Sequence, residues 1–290
     1  MSNIIFKKRE AGIPFSSQNR LIIIPLILSL IMVIFAPLFI GASMMLIFSP
    51  SGTSLISVYS TSEMILTVLF TLFIFTKVSK VSLTDLGLKT TGAFSKIVIG
   101  IVCGFLAISI VAFVINMLGG VTTEYHFQPQ YLKTLLLGLV FFAFQGTYEE
   151  LVYRSYLMTH FSKAMGIKWS IVMTSILFTG LHVLNPGMTL MPVINLMIAS
   201  VVFSLIYYKS GSLWLVGFAH GIWNYSQGFI YGSLVSGNPI DETIFRSLPL
   251  SGNDFISGGS FGFEGGIVTT VVGLILITTL IILPSKQVKL

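Results

Sequence analysis

Charge is the scarcest ingredient of this sequence. Of its 290 residues only 9% are charged, while 54% are hydrophobic, and the mean hydropathy is +0.93. Soluble domains carry about 25% charged residues, so the composition excludes a water-soluble globule and points to a polytopic membrane protein. Cysteine is almost missing as well. The lone Cys103 cannot close a disulfide within the chain, which excludes an oxidative framework, and no polar neighbour in sequence equips it as a nucleophile. Several catalytic signatures are absent too. No glycine-rich phosphate loop supports an ATP-driven pump. There is no His-Glu-x-x-His zinc helix, no Gly-x-Gly-Asp aspartyl site and no Gly-x-Ser-x-Gly elbow.

What the chain has in abundance is long apolar stretches. About 20 apolar residues cross the hydrocarbon core as a helix. Eight stretches qualify, near 21–48, 60–78, 94–118, 132–158, 168–184, 189–208, 212–231 and 265–284. The first follows a basic N-terminal segment but far exceeds a signal-peptide core of roughly 7–15 residues, so it reads as a retained span. Pro25 and Pro37 are expected to kink it, and Asn185-Pro186-Gly187 to turn the chain between the fifth and sixth. Residues 232–264 form a long Gly-, Ser- and Pro-rich extracytoplasmic loop without a spanning segment.

Lysine and arginine divide sharply between the two sides. With the N-terminus taken as cytoplasmic, Lys7, Lys8, Arg9, Arg20, Lys77, Lys80, Lys89, Lys96, Lys163, Lys168, Lys209, Lys286 and Lys289 share one side. The other keeps Lys133 and Arg246, with Glu124, Asp241, Glu242, Asp254 and Glu264. This is the positive-inside asymmetry. The fold class it implies is an all-α membrane helix bundle of about eight transmembrane helices, a single domain over 1–290, with both termini cytoplasmic. The net charge of +6 then reports insertion into a lipid bilayer and no nucleic-acid partner.

Against this background a few polar groups inside the spans stand out. A charge in hydrocarbon costs at least roughly 2.5–3.5 kcal/mol on insertion scales, so such groups are rare without a task. Glu150 and Arg154 are four apart, share a helical face and can pair. Glu149 is turned roughly 100° from its neighbour, so the arginine neutralises one acid and leaves the other for chemistry or a cationic partner. Taken alone, the trio is also explained by an interfacial salt bridge. His182 and His220, in separate spans, weigh against that simpler reading. A single histidine in a bundle is more often a packing residue; two beside an acidic pair are harder to dismiss. Asn224 shares a face with His220. Counted at about 1.5 Å per residue, these groups lie at overlapping depths of roughly 12–21 Å and can converge on one water-filled cavity.

Such a set suits amide hydrolysis by either of two routes. A carboxylate can act as general base on water while an imidazole or amide stabilises the oxyanion. Alternatively, Glu149, His182 and His220 could hold a divalent metal such as zinc that acidifies the water. The remaining features read as structural. Gly100/Gly104 and Gly217/Gly221 are spaced for close helix approach, and Phe178 reads as core. His126 and His160 are expected to be solvated, and Trp214, Tyr207 and Tyr208 to sit in aromatic belts.

In this order, Glu149-Glu150-x-x-x-Arg154, Phe178-x-x-x-His182 and His220-x-x-x-Asn224 resemble the CPBP (CAAX protease and bacteriocin-processing, or Abi) family of intramembrane endopeptidases. The resemblance covers roughly 130–230; the long acidic 232–264 loop is no part of the family pattern. It implies an eight-span helical fold whose catalytic cavity opens toward the cytoplasm. It makes Glu149 the general base and His182 the group that orients water or stabilises the oxyanion. His220 and Asn224 complete the site, with Glu150 and Arg154 supporting it. Metalloprotease and metal-free glutamate protease both remain open. The expected activity is cleavage of a membrane-associated peptide or protein, either CAAX-type processing or bacteriocin maturation, peptide-signal processing and self-immunity, in a bacterial plasma membrane. Two other classes compete: a non-enzymatic membrane scaffold or immunity protein, and a proton-coupled transporter with Glu149 and His182 as relay groups. The sequence shows no inverted repeat of the kind many transporters carry.

Overall fold

The computed structural model describes residues 4–46 and 56–284. A short helix α1 (Ile4–Gly12) precedes α2 (Gln18–Met45), α3 (Val58–Lys77) and α4 (Ala93–Met117). Strand β1 (Val121–Tyr125) leads to α5 (Leu132–Glu150), α6 (Met158–Met165), α7 (Ile167–Leu181), α8 (Leu190–Ser210) and α9 (Leu213–Tyr225). Strand β2 (Phe245–Pro249), α10 (Asp254–Ser257) and α11 (Ile267–Ile282) follow. Each of the eight apolar stretches corresponds to a helix. Residues 47–48, at the end of the first stretch, and Lys286 and Lys289 of the charge argument lie outside the described residues.

Length separates these helices into two groups. Among the described residues, five helical runs are long and apolar enough to cross a membrane: Gln18–Met45, Val58–Lys77, Ala93–Met117, Pro129–Met165 and Leu190–Ser210. The chain is thus mostly helical and a multi-pass membrane protein. Ile167–Leu181 and Ile267–Ile282 are apolar but shorter, and α9 has 13 residues. The 15 residues of α7 reach roughly 22 Å, less than the ~30 Å of a hydrocarbon core. A helix that stops short needs its last carbonyls met by protein or cavity water. α7 stops at His182.

Two π-helical turns interrupt the helical ladders. Leu151–Leu157 joins α5 and α6 into one rod, and Ser226–Ile230 prolongs α9. Such insertions are rare and frequently accompany functional sites. Here one follows directly on Glu149-Glu150 and the other begins two residues after Asn224.

α9 is flanked by α4 and α5, and glycine makes both approaches possible. A Cβ on Gly146 of α5 would stand 2.3 Å from the Gly221 nitrogen, and one on Gly104 of α4 2.3 Å from the Ala219 carbonyl oxygen. Neither distance is sterically tolerable, so the helices lie closer than any larger residue permits. The backbone on both sides of His220 is clamped in this way.

At one end of the bundle α1 folds back over the helix ends. Its buried Arg9 donates to the Tyr207 hydroxyl and the Gly211 carbonyl, while Phe6 packs edge-on to Tyr207. Tyr207 is therefore fully buried, which corrects its expected place in an aromatic belt: it has a cationic partner inside the protein. His160 is also buried rather than solvated. The rod runs past it to Met165, so its ring lies against Tyr156, with Nδ1 2.7 Å from the Tyr156 carbonyl oxygen.

The opposite end carries the small sheet. β1 pairs antiparallel with β2, Val121 opposite Pro249 and Tyr125 opposite Phe245. The run Val121-Thr122-Thr123 is β-branched and favours extended backbone. This two-stranded element is the one sheet among the described residues, a small departure from an all-α chain, and it gives the 232–264 segment a fixed structure.

Candidate active site

The two adjacent glutamates part company at the end of α5. Glu150 and Arg154 are both fully buried, with Nη1 2.9 Å from Glu150 Oε1. Arg154 Nη2 also donates to the Ser200 hydroxyl at 2.8 Å, tying the rod to α8. Its guanidinium lies 4.5 Å from the centre of the Phe178 ring, a cation–π arrangement that replaces water on one face. His220 Nδ1 stands 2.9 Å from the same Glu150 Oε1. A carboxylate only accepts, so Nδ1 carries the proton and Nε2 is turned away from Glu150. The imidazole stacks on Phe203, centroids 4.6 Å apart at 16°. Glu150 therefore orients His220 while Arg154 neutralises Glu150.

Glu149 points elsewhere. It is 18% exposed and lines a cavity of about 1130 Å³ together with His182, His220 and Asn224. Gln145, one turn earlier in α5, donates its amide to Glu149 Oε1 at 2.5 Å. Asn224 donates in turn to Gln145 Oε1 at 3.0 Å. The direction of both bonds is forced from the acceptor-only carboxylate outward. His182 Nδ1 lies 2.8 Å from the Phe178 carbonyl oxygen, so this ring too is protonated at Nδ1 and turns Nε2 to the cavity. The two Nε2 atoms face Glu149 from different sides, His182 at 4.0 Å and His220 at 3.7 Å. Those gaps are too long for direct hydrogen bonds and of the size that one bridging water spans.

The six residues singled out from the sequence are thus brought together as one connected centre. Asn224 reaches Glu149 through Gln145 and not directly. Gln145 and Ser200 were missed by sequence reasoning. A signal existed for Gln145, which lies four residues before Glu149 on the same helical face. None existed for Ser200, a serine among many in apolar helices. Phe178 is core, as expected, but its carbonyl, its ring and its position one turn before His182 all serve the centre.

The donor types at Glu149, His182 and His220 suit a divalent ion, and the carboxylate behind His220 is the usual support of a metal-bound imidazole. The placement does not match: among the described residues, no three His, Cys, Asp or Glu side chains stand together at metal-holding spacing. The residues as arranged form one carboxylate between two bases, and no step below runs through a metal.

Fold and centre together define a class, multi-pass membrane proteins with a carboxylate–imidazole site sunk among the helices. The family model described as type II CAAX prenyl endopeptidase, Rce1-like, matches residues 131–226, the same segment whose motifs resemble the CPBP and CAAX protease family. The match spans all three motifs. No curated protein matches the chain.

Proposed function

We propose that the protein is an intramembrane endopeptidase that cleaves a membrane-associated peptide or protein with a water activated by Glu149. The observation that carries this reading is the separation of the two glutamates. One is paired with Arg154; the other lines the cavity with two imidazole Nε2 atoms within 4.0 Å. In the proposed reaction a water between Glu149 and His182 attacks the scissile carbonyl carbon. One water proton passes to the Glu149 carboxylate as the new C–O bond forms, and negative charge moves to the carbonyl oxygen. The free amide hydrogen of Asn224 supplies a donor suited to that charge. Collapse breaks the C–N bond, and the proton held at Glu149 passes to the departing amine. His182, with Nδ1 committed to Phe178, has only Nε2 to accept and return a proton.

Eight crossings with both termini in the cytoplasm accommodate the lysine and arginine distribution, and the short α7 and α9 then span jointly with the turns that build the site. The matching family is described as prenyl endopeptidases of the CAAX type. A bacterial plasma membrane and a peptide substrate, in signal maturation or self-immunity, are our reading for this chain. The test is cleavage of a quenched fluorescent peptide library by the purified protein, beside Glu149→Gln and His182→Ala. Cleavage lost in both folded variants supports the assignment; cleavage surviving in both removes it. Elemental analysis and chelation of the active protein decide the metal question: full activity without stoichiometric metal sinks a zinc mechanism.

A further inference from the structure

The cavity that holds Glu149 extends toward the sheet end of the bundle, and a second carboxylate lines it there. Glu264 belongs to the 232–264 segment, immediately before α11, yet it shares the cavity wall with Glu149 and His182. Its position is built. Glu264 Oε2 accepts from both the backbone N–H and the hydroxyl of Ser236, each at 2.9 Å. Ser236 sits at φ +48°, a left-handed conformation that costs a residue with a Cβ of order 1 kcal/mol and persists where the surroundings enforce it. Asn185, three residues beyond His182, donates to the Ser236 carbonyl at 3.2 Å. Asn195 of α8 donates to the backbone carbonyls of Glu264 and Gly266 at 2.7 and 2.9 Å. The segment is thereby pinned to the end of α7 and to α8, on both sides of the carboxylate.

What Glu264 lacks is a counter-charge. Among the described residues no lysine, arginine or histidine pairs with it, and Oε1 has no hydrogen-bond partner. The cations of the same cavity, Lys96 and Lys209, come from the first turn of α4 and the last turn of α8, whereas the backbone of Glu264 is held by Asn195 near the start of that helix. The cavity is therefore anionic at one end and basic at the other, with the carboxylate–imidazole centre between. A half-buried carboxylate in a mostly apolar wall is costly unless a cation meets it.

We propose that Glu264 is the specificity-determining anion of this cavity, receiving a primary ammonium or guanidinium group of the peptide substrate at a fixed distance from the scissile bond. The inference rests on the endopeptidase reading for its reaction but not for its binding. A cationic residue seated at Glu264 and a chain running toward the Lys96 end would carry the intervening peptide bond past Glu149.

The test is a positional walk. Quenched peptides carrying one lysine or arginine at successive positions are compared with norleucine twins, using the full-length protein in detergent. The expected result is a preference of roughly ten- to hundredfold in kcat/KM for the cation at one position, the range of a charge-assisted hydrogen bond. Glu264→Gln, which keeps an oxygen acceptor for Ser236, should abolish that preference and leave norleucine peptides cleaved as before. A parallel binding series uses dye-labelled lysine and norleucine peptides on Glu149→Gln protein, with and without Glu264→Gln. A lysine preference in binding that needs Glu264, without cleavage by any form, keeps the subsite and removes the protease. Cleavage with equal rates for lysine, arginine and norleucine peptides at every position, or a preference untouched by Glu264→Gln, overturns the subsite and leaves the protease standing.

Discussion

Glu149 and Glu150 are neighbours in sequence and opposites in environment. Glu150 is sealed, with Arg154 and His220 sharing one of its oxygens. Glu149 is open to the cavity, held by the neutral amide of Gln145 and faced by two imidazoles across 3.7 to 4.0 Å. A turn of roughly 100° along the helix is enough to give one carboxylate a structural task and free the other to move protons. Arg154 is what makes the difference stable: burying both acids uncompensated would cost several kcal/mol per ion.

Substitutions can break this contrast in order of size. Glu149→Gln removes a general base and should lower kcat by about 10²- to 10⁴-fold without lowering the melting temperature in detergent; an activity within tenfold of wild type would contradict the division of roles. Arg154→Met leaves Glu150 buried without its cation and should destabilise the fold by about 3–5 kcal/mol. Thermal or denaturant unfolding would read that loss, and a wild-type transition would show that Glu150 needs no partner. Gln145→Ala deletes the link between Asn224 and Glu149; a hydrogen bond to a charged group is worth about 1.5–3 kcal/mol, so kcat/KM should fall roughly ten- to hundredfold. Gln145→Glu, in contrast, sets a like charge on Glu149 and should be worse than alanine. The smallest effect belongs to Gly146→Ala, where overpacking against Gly221 should cost about 1–3 kcal/mol in stability, with catalysis reduced only as His220 shifts.

Much of this was legible in one dimension because the signals were local. Hydrophobic length marked the helices, and a four-residue spacing paired Glu150 with Arg154. Three motifs in three helices nominated the centre. Other features left no such trace. The sequence around Leu151–Leu157 does not announce a π-helical turn, since that turn answers to the packing of the rod against its neighbours. Tyr207 looked like an interfacial aromatic until Arg9, 198 positions away in the chain, came back to meet it. His160 looked solvated until its ring came to lie between Tyr156 and Phe15. Glu264 read as one acid in an external loop, and only the folding of that loop onto Asn185 and Asn195 brings it to the wall of the same cavity.

The amino-acid order alone determined that this chain partitions into a bilayer, where its helices fall, and which rare polar groups they must shelter, because transfer free energy and helical spacing act residue by residue. Tertiary structure decided which carboxylate is neutralised, which ring nitrogen faces the cavity and what shares its wall. Those outcomes depend on side chains as far apart as Glu150 and His220, or Ser236 and Glu264, meeting within hydrogen-bonding distance: the first pair through the close packing of glycine-faced helices, the second through the anchoring of its segment by Asn185 and Asn195.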